Sequence, residues 1–193
     1  MNRTLDKIFY FYTRQIFFWG KIKTQLFYKL FFGRIGRGTI IVGAELISNP
    51  SHIFIGKNSL IHSNARILCV SNCEENNKII IGDDVRIQQG VYIVCGNKIT
   101  IGGGVSIAPY VKILDSEHIY ADTSKPIHNQ KSSPGSVIIG ENSLIGTGVV
   151  ILKGSKIGKG CMVGANAVVK GEFPDYCVIA GVPAKIIRMI KNN

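Results

Sequence analysis

The chain has 193 residues, 23 of them Lys or Arg against 12 Asp or Glu, for a formal net charge of +11. Hydrophobic residues make up 46% and charged residues 18%, which excludes general disorder and gives one domain with a sizeable core. The charge is uneven: through Ala44 there are eight basic residues and one acid, from Glu45 to Leu152 the balance is −1, and from Lys153 onward it is +5. A basic stripe along the centre is therefore missing, and no zinc finger, RNA-binding aromatic motif or basic zipper occurs, so nucleic acid is not an expected partner.

The first 32 residues hold eleven of the seventeen aromatics. Leu5, Ile8, Phe9, Tyr12, Ile16 and Trp19 follow steps of three and four, predicting one apolar helical face that Gly20 interrupts. A second short helix is expected to turn Ile22, Leu26, Phe27, Leu30 and Phe31 inward. Arg14, Lys21, Lys23 and Lys29 break the stretch, so no membrane span forms. Two readings of residues 1–33 stay open: a cap on the open end of the domain or on a neighbouring subunit, and an interfacial helix pair with peripheral membrane contact through residues 1–32. No secretory signal precedes the five cysteines (Cys69, Cys73, Cys95, Cys161 and Cys177), so reduced thiols in a cytoplasmic protein are expected.

From Ile35 a six-residue period takes over. Ile139, Ile145, Ile151, Ile157, Val163 and Val169 run without a slip, and Gly140, Gly146, Gly158 and Gly164 follow four of them. Isoleucine (31) and valine (15) swamp leucine (9), which favours strands over helices. Four segments, IFIG, IIIG, ITIG and VIIG, announce the runs. A helix returns to one face every 3.6 residues and a strand every two. A sixfold period suits a prism-like coil of short strands, each side sending one aliphatic to a common axis. The period breaks at 71–78 (SNCEENNK) and again from Leu114 to Ser136.

His118, in the second break, is the candidate general base, because an imidazole titrates near neutrality and this loop leaves a rigid scaffold. Asp115 lies three residues away and is the candidate to orient it, with an Asx-type turn as the alternative role. The four histidines, His52, His62, His118 and His128, lack the spacing of zinc ligands, so no metal is expected.

The tandem aliphatic–glycine hexads, the D-x-x-H-x-Y segment Asp115–Tyr120 and the AGVPAKIIR stretch Ala180–Arg188 resemble the hexapeptide-repeat acyltransferases, most of all sugar and surface-polysaccharide O-acetyltransferases. The resemblance implies a mostly β fold: a left-handed parallel β-helix of hexapeptide repeats over 34–182, with the catalytic loop at 114–136, an N-terminal helical segment over 1–33 and a short C-terminal helix over 183–193. It implies acetyl-CoA as acyl donor, a carbohydrate acceptor and a homotrimer with active sites between subunits. It places Gln88 and Tyr120 in acceptor binding, and Gly146, Thr147, Gly164 and Ala165 along the pantetheine arm. Lys170, Lys185 and Arg188 become the phosphate ligands. Leu144 stands where several relatives carry a tryptophan. A soluble sugar, amino-sugar or xenobiotic acetyltransferase, and a non-catalytic scaffold or membrane-surface module, are the competing functions.

Overall fold

The computed structural model describes residues 3–70 and 77–190. The six-residue clock becomes a triangular prism. Ile139, Ile145, Ile151 and Ile157 fall on strands of three successive faces and then the first face again, so eighteen residues complete one coil. Face A has seven strands, face B eight and face C six, and strands stack in parallel from coil to coil. The four announcing segments are all strands of face A: Ile53–Ile55, Lys78–Ile81, Lys98–Ile101 and Ser136–Ile139. This is the left-handed parallel β-helix that the family resemblance implies.

Isoleucine dominates because every face of each coil sends β-branched side chains to the axis, two from face A strands such as Ile53–Ile55, Lys78–Ile81 and Lys98–Ile101. Ile53, Ile61, Ile67, Ile79, Ile87, Ile93 and Ile99 are wholly buried in one continuous column. Corners turn through left-handed residues, where asparagine and glycine carry the least strain. Cys69, Cys95, Cys161 and Cys177 are buried and form no disulfide among the described residues, while Cys73 lies outside them. Burial raises the pKa of the Cys95 and Cys177 thiols, holding both in the unreactive protonated form.

The N-terminal segment differs from expectation. One helix, Arg3–Ile22 (α1), runs through Gly20 and passes into a wider π-type turn, Lys23–Phe27, and a 3-10 turn, Tyr28–Leu30. Gly20 does not interrupt it, because its bare α-carbon lies against the edge strand Ile40–Ile41; an added Cβ would sit 3.3 Å from the Val42 α-carbon. Polar groups make the dock. The Thr24 hydroxyl accepts from the Ile41 amide at 2.8 Å and donates to the Gly20 carbonyl at 2.7 Å. The Gln25 amide donates to the Thr39 carbonyl at 2.9 Å. Phe32 is buried and Tyr28 packs on the core, while the Phe17 ring meets His62 edge-on at 5.8 Å. The segment therefore caps the first coil, and it does so with residues outside the predicted stripe. Tyr12, Ile16, Trp19, Leu26, Phe27, Leu30 and Phe31 are exposed. Leu5, Ile8 and Phe9 lie outside the residues whose side chains are described. Among the described residues no helix is long and apolar enough to cross a membrane.

The C-terminal end also differs. Residues Ala184–Met189 form a strand, not a helix, antiparallel to Cys177–Gly181 on face B. The last coil leaves an open row of backbone groups, and the β-branched pair Ile186–Ile187 suits an added strand that satisfies them. Gly181, at φ +102°, makes the reversal together with Pro183. Residues 191–193 lie outside the described ones.

Candidate active site

The long interruption leaves face C after Lys112–Leu114 and rejoins face A at Ser136. The 71–78 insert leaves between the same two faces, after Arg66–Cys69, although 71–76 are outside the described residues. Both breaks thus open on the edge where C meets A. The long one is a built structure. Ser116–His118 pairs antiparallel with Ser132–Pro134, placing His118 opposite Ser132, and the Ile119 amide extends the pairing to the Lys131 carbonyl at 3.0 Å. Beyond it, the Gln130 side chain bridges the loop, donating to the Asp122 carbonyl at 2.8 Å and accepting from the Asp122 amide at 3.2 Å. His128 sits in a short 3-10 turn on the far arm of this loop.

A lysine that the sequence did not single out fastens the hairpin to the prism. Lys153 Nζ donates to Ser133 Oγ at 2.6 Å and lies 3.3 Å from Glu117 Oε1. Lys170, one coil on, is 3.9 Å from the other Glu117 oxygen. These contacts occupy the two residues flanking the His118 pair, while the His118 imidazole is exposed and has no hydrogen-bond partner among the described residues. The repeat itself carried a signal for Lys153, since Lys-Gly follows Leu152 where the coil turns this edge.

Asp115 is not beside the imidazole. Its side chain is wholly buried, and its carboxylate accepts from the Gly96 amide at 2.5 Å and the Asn97 amide at 2.9 Å. His118 follows three positions later along extended backbone, about 10 Å away at strand rise. The carboxylate thus neither orients the imidazole nor starts an Asx-type turn in its own loop; it ties the root of the hairpin to the turn of the preceding coil. The negative charge is felt inward: after burial, Asp115 is the next cause of the raised Cys95 pKa.

Gln88, Gly146, Thr147, Gly164 and Ala165 fall on a different edge, where B meets C. The Gln88, Ala108, Gly146 and Gly164 amides each bond the coil above, at 2.9, 2.9, 2.9 and 2.8 Å, and so form one vertical ladder. Gly146 has a packing reason as well: a Cβ there would lie 2.7 Å from the Ala165 amide nitrogen. Thr147 and Ala165 are the exposed tips of consecutive corners, and neither amide has a partner among the described residues. At the A–B edge, the matching Lys57 and Lys159 amides are capped by the Asp83 and Asp175 carboxylates, at 2.7 and 2.9 Å. The B–C tips carry no such acid, so their N–H groups point open toward whatever occupies that edge.

Lys185 and Arg188 are brought together by an irregularity. Lys185 pairs with Ala180 and Arg188 with Val178, and a bulge between those pairs makes Ile187 the extra residue. Cys177 and Ile179 point to the core, so Val178 and Ala180 point out, and both cations share the outer face. Without the bulge, strand alternation would place residues 185 and 188 on opposite faces. Lys170 does not join them, being on the C–A edge with Glu117. Tyr120 is exposed on the loop, and Leu144 is exposed on face B. Among the described residues no three His, Cys, Asp or Glu side chains gather as a metal would require; His52 bonds the Asn77 carbonyl at 2.8 Å, and burial lowers the His62 pKa.

Residues 136–171 match the bacterial transferase hexapeptide family, six repeats long. The prism is a hexapeptide-repeat β-helix. The chain is 38% identical over 117 residues to WbbJ of Escherichia coli K12, named as an O-acetyl transferase of lipopolysaccharide biosynthesis; the match covers 57% of this chain and 60% of that one. It is 33% identical over 123 residues to the galactoside O-acetyltransferase of the same organism, covering 58% and 57%. The chain thus spans about half to three-fifths of the length of these curated relatives. Among solved structures, the N-acyltransferase AntD of Bacillus cereus, determined with dTDP and coenzyme A, superposes with a TM-score of 0.72 over 85% of this chain and 87% of its own. At 23% identity that likeness concerns the fold.

Proposed function

We propose that this protein is an acetyl-CoA-dependent O-acetyltransferase that acts on a sugar hydroxyl of a surface polysaccharide or its lipid-linked precursor, as a homotrimer at the inner face of the membrane. One observation carries the reading: the exposed imidazole and the open amides occupy different edges of the same prism. A single chain cannot bring His118 to the Thr147–Ala165 corner, whereas a C–A edge facing the B–C edge of a neighbouring copy would. The O-acetyltransferase names of the relatives support hydroxyl chemistry on a saccharide.

In this mechanism neutral His118 accepts the hydroxyl proton as the sugar oxygen attacks the thioester carbonyl. Backbone N–H groups hold the developing oxyanion, and the C–S bond breaks as the imidazolium returns its proton to the leaving sulfur. The Thr147 and Ala165 amides bind the amide groups of the pantetheine arm. Gln88 and Tyr120 orient the acceptor, with Gln88 contributed across the subunit boundary. Lys185 and Arg188 hold the nucleotide phosphates, and Lys170 adds charge from the edge that carries the hairpin.

The test is release of coenzyme A thiol from acetyl-CoA with a panel of neutral sugars, amino sugars and polysaccharide fragments. Acceptor-dependent release with product acetylated on oxygen is expected. Absence of acceptor-dependent release across the panel points to a scaffold, and products acetylated on nitrogen overturn the hydroxyl assignment.

The bulged strand gives a separate prediction. Lys185→Ala with Arg188→Ala should raise KM for acetyl-CoA about tenfold while kcat stays within about twofold, as expected for lost binding that is equal in ground and transition states. Acetyl-pantetheine, which lacks the nucleotide phosphates, should be used equally well by both proteins. Equal KM values for acetyl-CoA would remove these residues from the donor site.

A further inference from the structure

We infer that the N-terminal segment is a docking surface for an anionic lipid bilayer, with α1 lying along the membrane plane. At about 100° per residue, Phe18, Phe11, Trp19, Tyr12 and Ile16 of α1 occupy one arc of about 160°, opposite the side where Phe17 and Gly20 meet the first coil. That arc is uncovered: Phe11 is 65% exposed, Tyr12 62%, Phe18 55% and Trp19 62%. Leu26, Phe27, Leu30 and Phe31 prolong the exposed apolar surface through the following turns.

Charge selects the occupant. Arg14 and Lys21 border the arc on one side, Lys23 follows in the next turn beside Tyr12, Ile16 and Trp19, and all three are exposed. Between Asp6 and Glu45 the sequence contains no acid and seven basic residues. Lipid headgroups of negative charge neutralise such a border, while the rings enter the acyl boundary with Tyr hydroxyl and Trp indole N–H at headgroup depth. A second copy presenting the same arm would bring like charges together instead. A shallow groove lined by Tyr12, Gln15, Ile16, Trp19 and Lys23, open beside the helix, adds concave apolar surface at the same border. The dock through Thr24 and Gln25 is made by residues off this arc, so lipid contact leaves the cap in place.

Trp19 is the chain's single tryptophan, so it reports on this surface alone. The full chain is mixed with vesicles of phosphatidylcholine, or of phosphatidylcholine with phosphatidylglycerol. Only the phosphatidylglycerol vesicles should move Trp19 emission to shorter wavelength and carry the chain into the pellet, and high salt should reduce both effects. Arg14→Glu with Lys21→Glu and Lys23→Glu should weaken vesicle binding at least about tenfold with the Trp19 reporter retained. Phe11→Glu with Phe18→Glu should do the same while thermal melting stays unchanged. Equal binding to neutral vesicles, or no binding to either kind, overturns the inference. So does Trp19 emission already at short wavelength without vesicles, together with a smaller sedimenting mass for the Phe11→Glu, Phe18→Glu chain, since that result means another copy covers the arc. The binding is read without acetyl-CoA or sugar, so its failure leaves acyl transfer standing and failed acyl transfer leaves the binding standing.

Discussion

His118→Ala is expected to lower kcat about 10²- to 10⁴-fold, the usual contribution of a positioned general base. Acetyl-CoA affinity should change less than about threefold, because the proposed donor contacts are backbone amides and cations on other elements. The fold gives this variant a clean background. The imidazole is exposed and unbonded among the described residues, and the hairpin is fixed by Lys153, Ser133 and Glu117, so the melting temperature should not move measurably. His128→Ala, on the far arm of the same loop, serves as the comparison and should stay within about threefold of wild type. Near-wild-type turnover for His118→Ala would remove the base from the mechanism.

The scaffold was readable because a solenoid writes its geometry as a period: a buried aliphatic recurring on every face, a corner at each sixth position, faces A, B and C in turn. Interruptions of the period likewise gave both ends of the hairpin loop, since the strands stop at Leu114 and resume at Ser136. Periodicity failed where partners come from elsewhere in the chain. The apolar stripe of α1 named a face, and two polar residues outside it, Thr24 and Gln25, make the dock because the first coil's edge offers unpaired amides and carbonyls. At the other end, helix-compatible spacing in 183–190 lost to an open sheet edge. A bulge leaves no mark in composition, so the shared face of Lys185 and Arg188 became visible only in the register. The edges on which His118 and Thr147 fall were implicit in the hexad count, but their separation matters only once the coil is known to be triangular.

Asp115 is expected to behave as part of the fold. Its replacement by alanine strips acceptors from two amides, Gly96 and Asn97, at a wholly buried position. An orphaned buried donor costs about 1–3 kcal/mol, so the variant should lose about 2–5 kcal/mol and melt roughly 5–15 °C lower. The damage should be local, since coils contact only their neighbours: amide exchange should quicken at Gly96, at Asn97 and at Gly135, whose amide donates to the Asp115 carbonyl at 2.7 Å. Asp115→Asn keeps one acceptor oxygen but turns an NH2 toward the second amide, so it should be destabilised nearly as much. At temperatures where both variants remain folded, turnover should fall only modestly, through loosening of the hairpin root. A carboxylate that oriented the imidazole would give the reverse pattern, with unchanged melting and a loss of turnover comparable to His118→Ala. The two patterns separate what three residues of sequence could not: a carboxylate aimed along the strand at His118, and one aimed inward at the turn of the preceding coil.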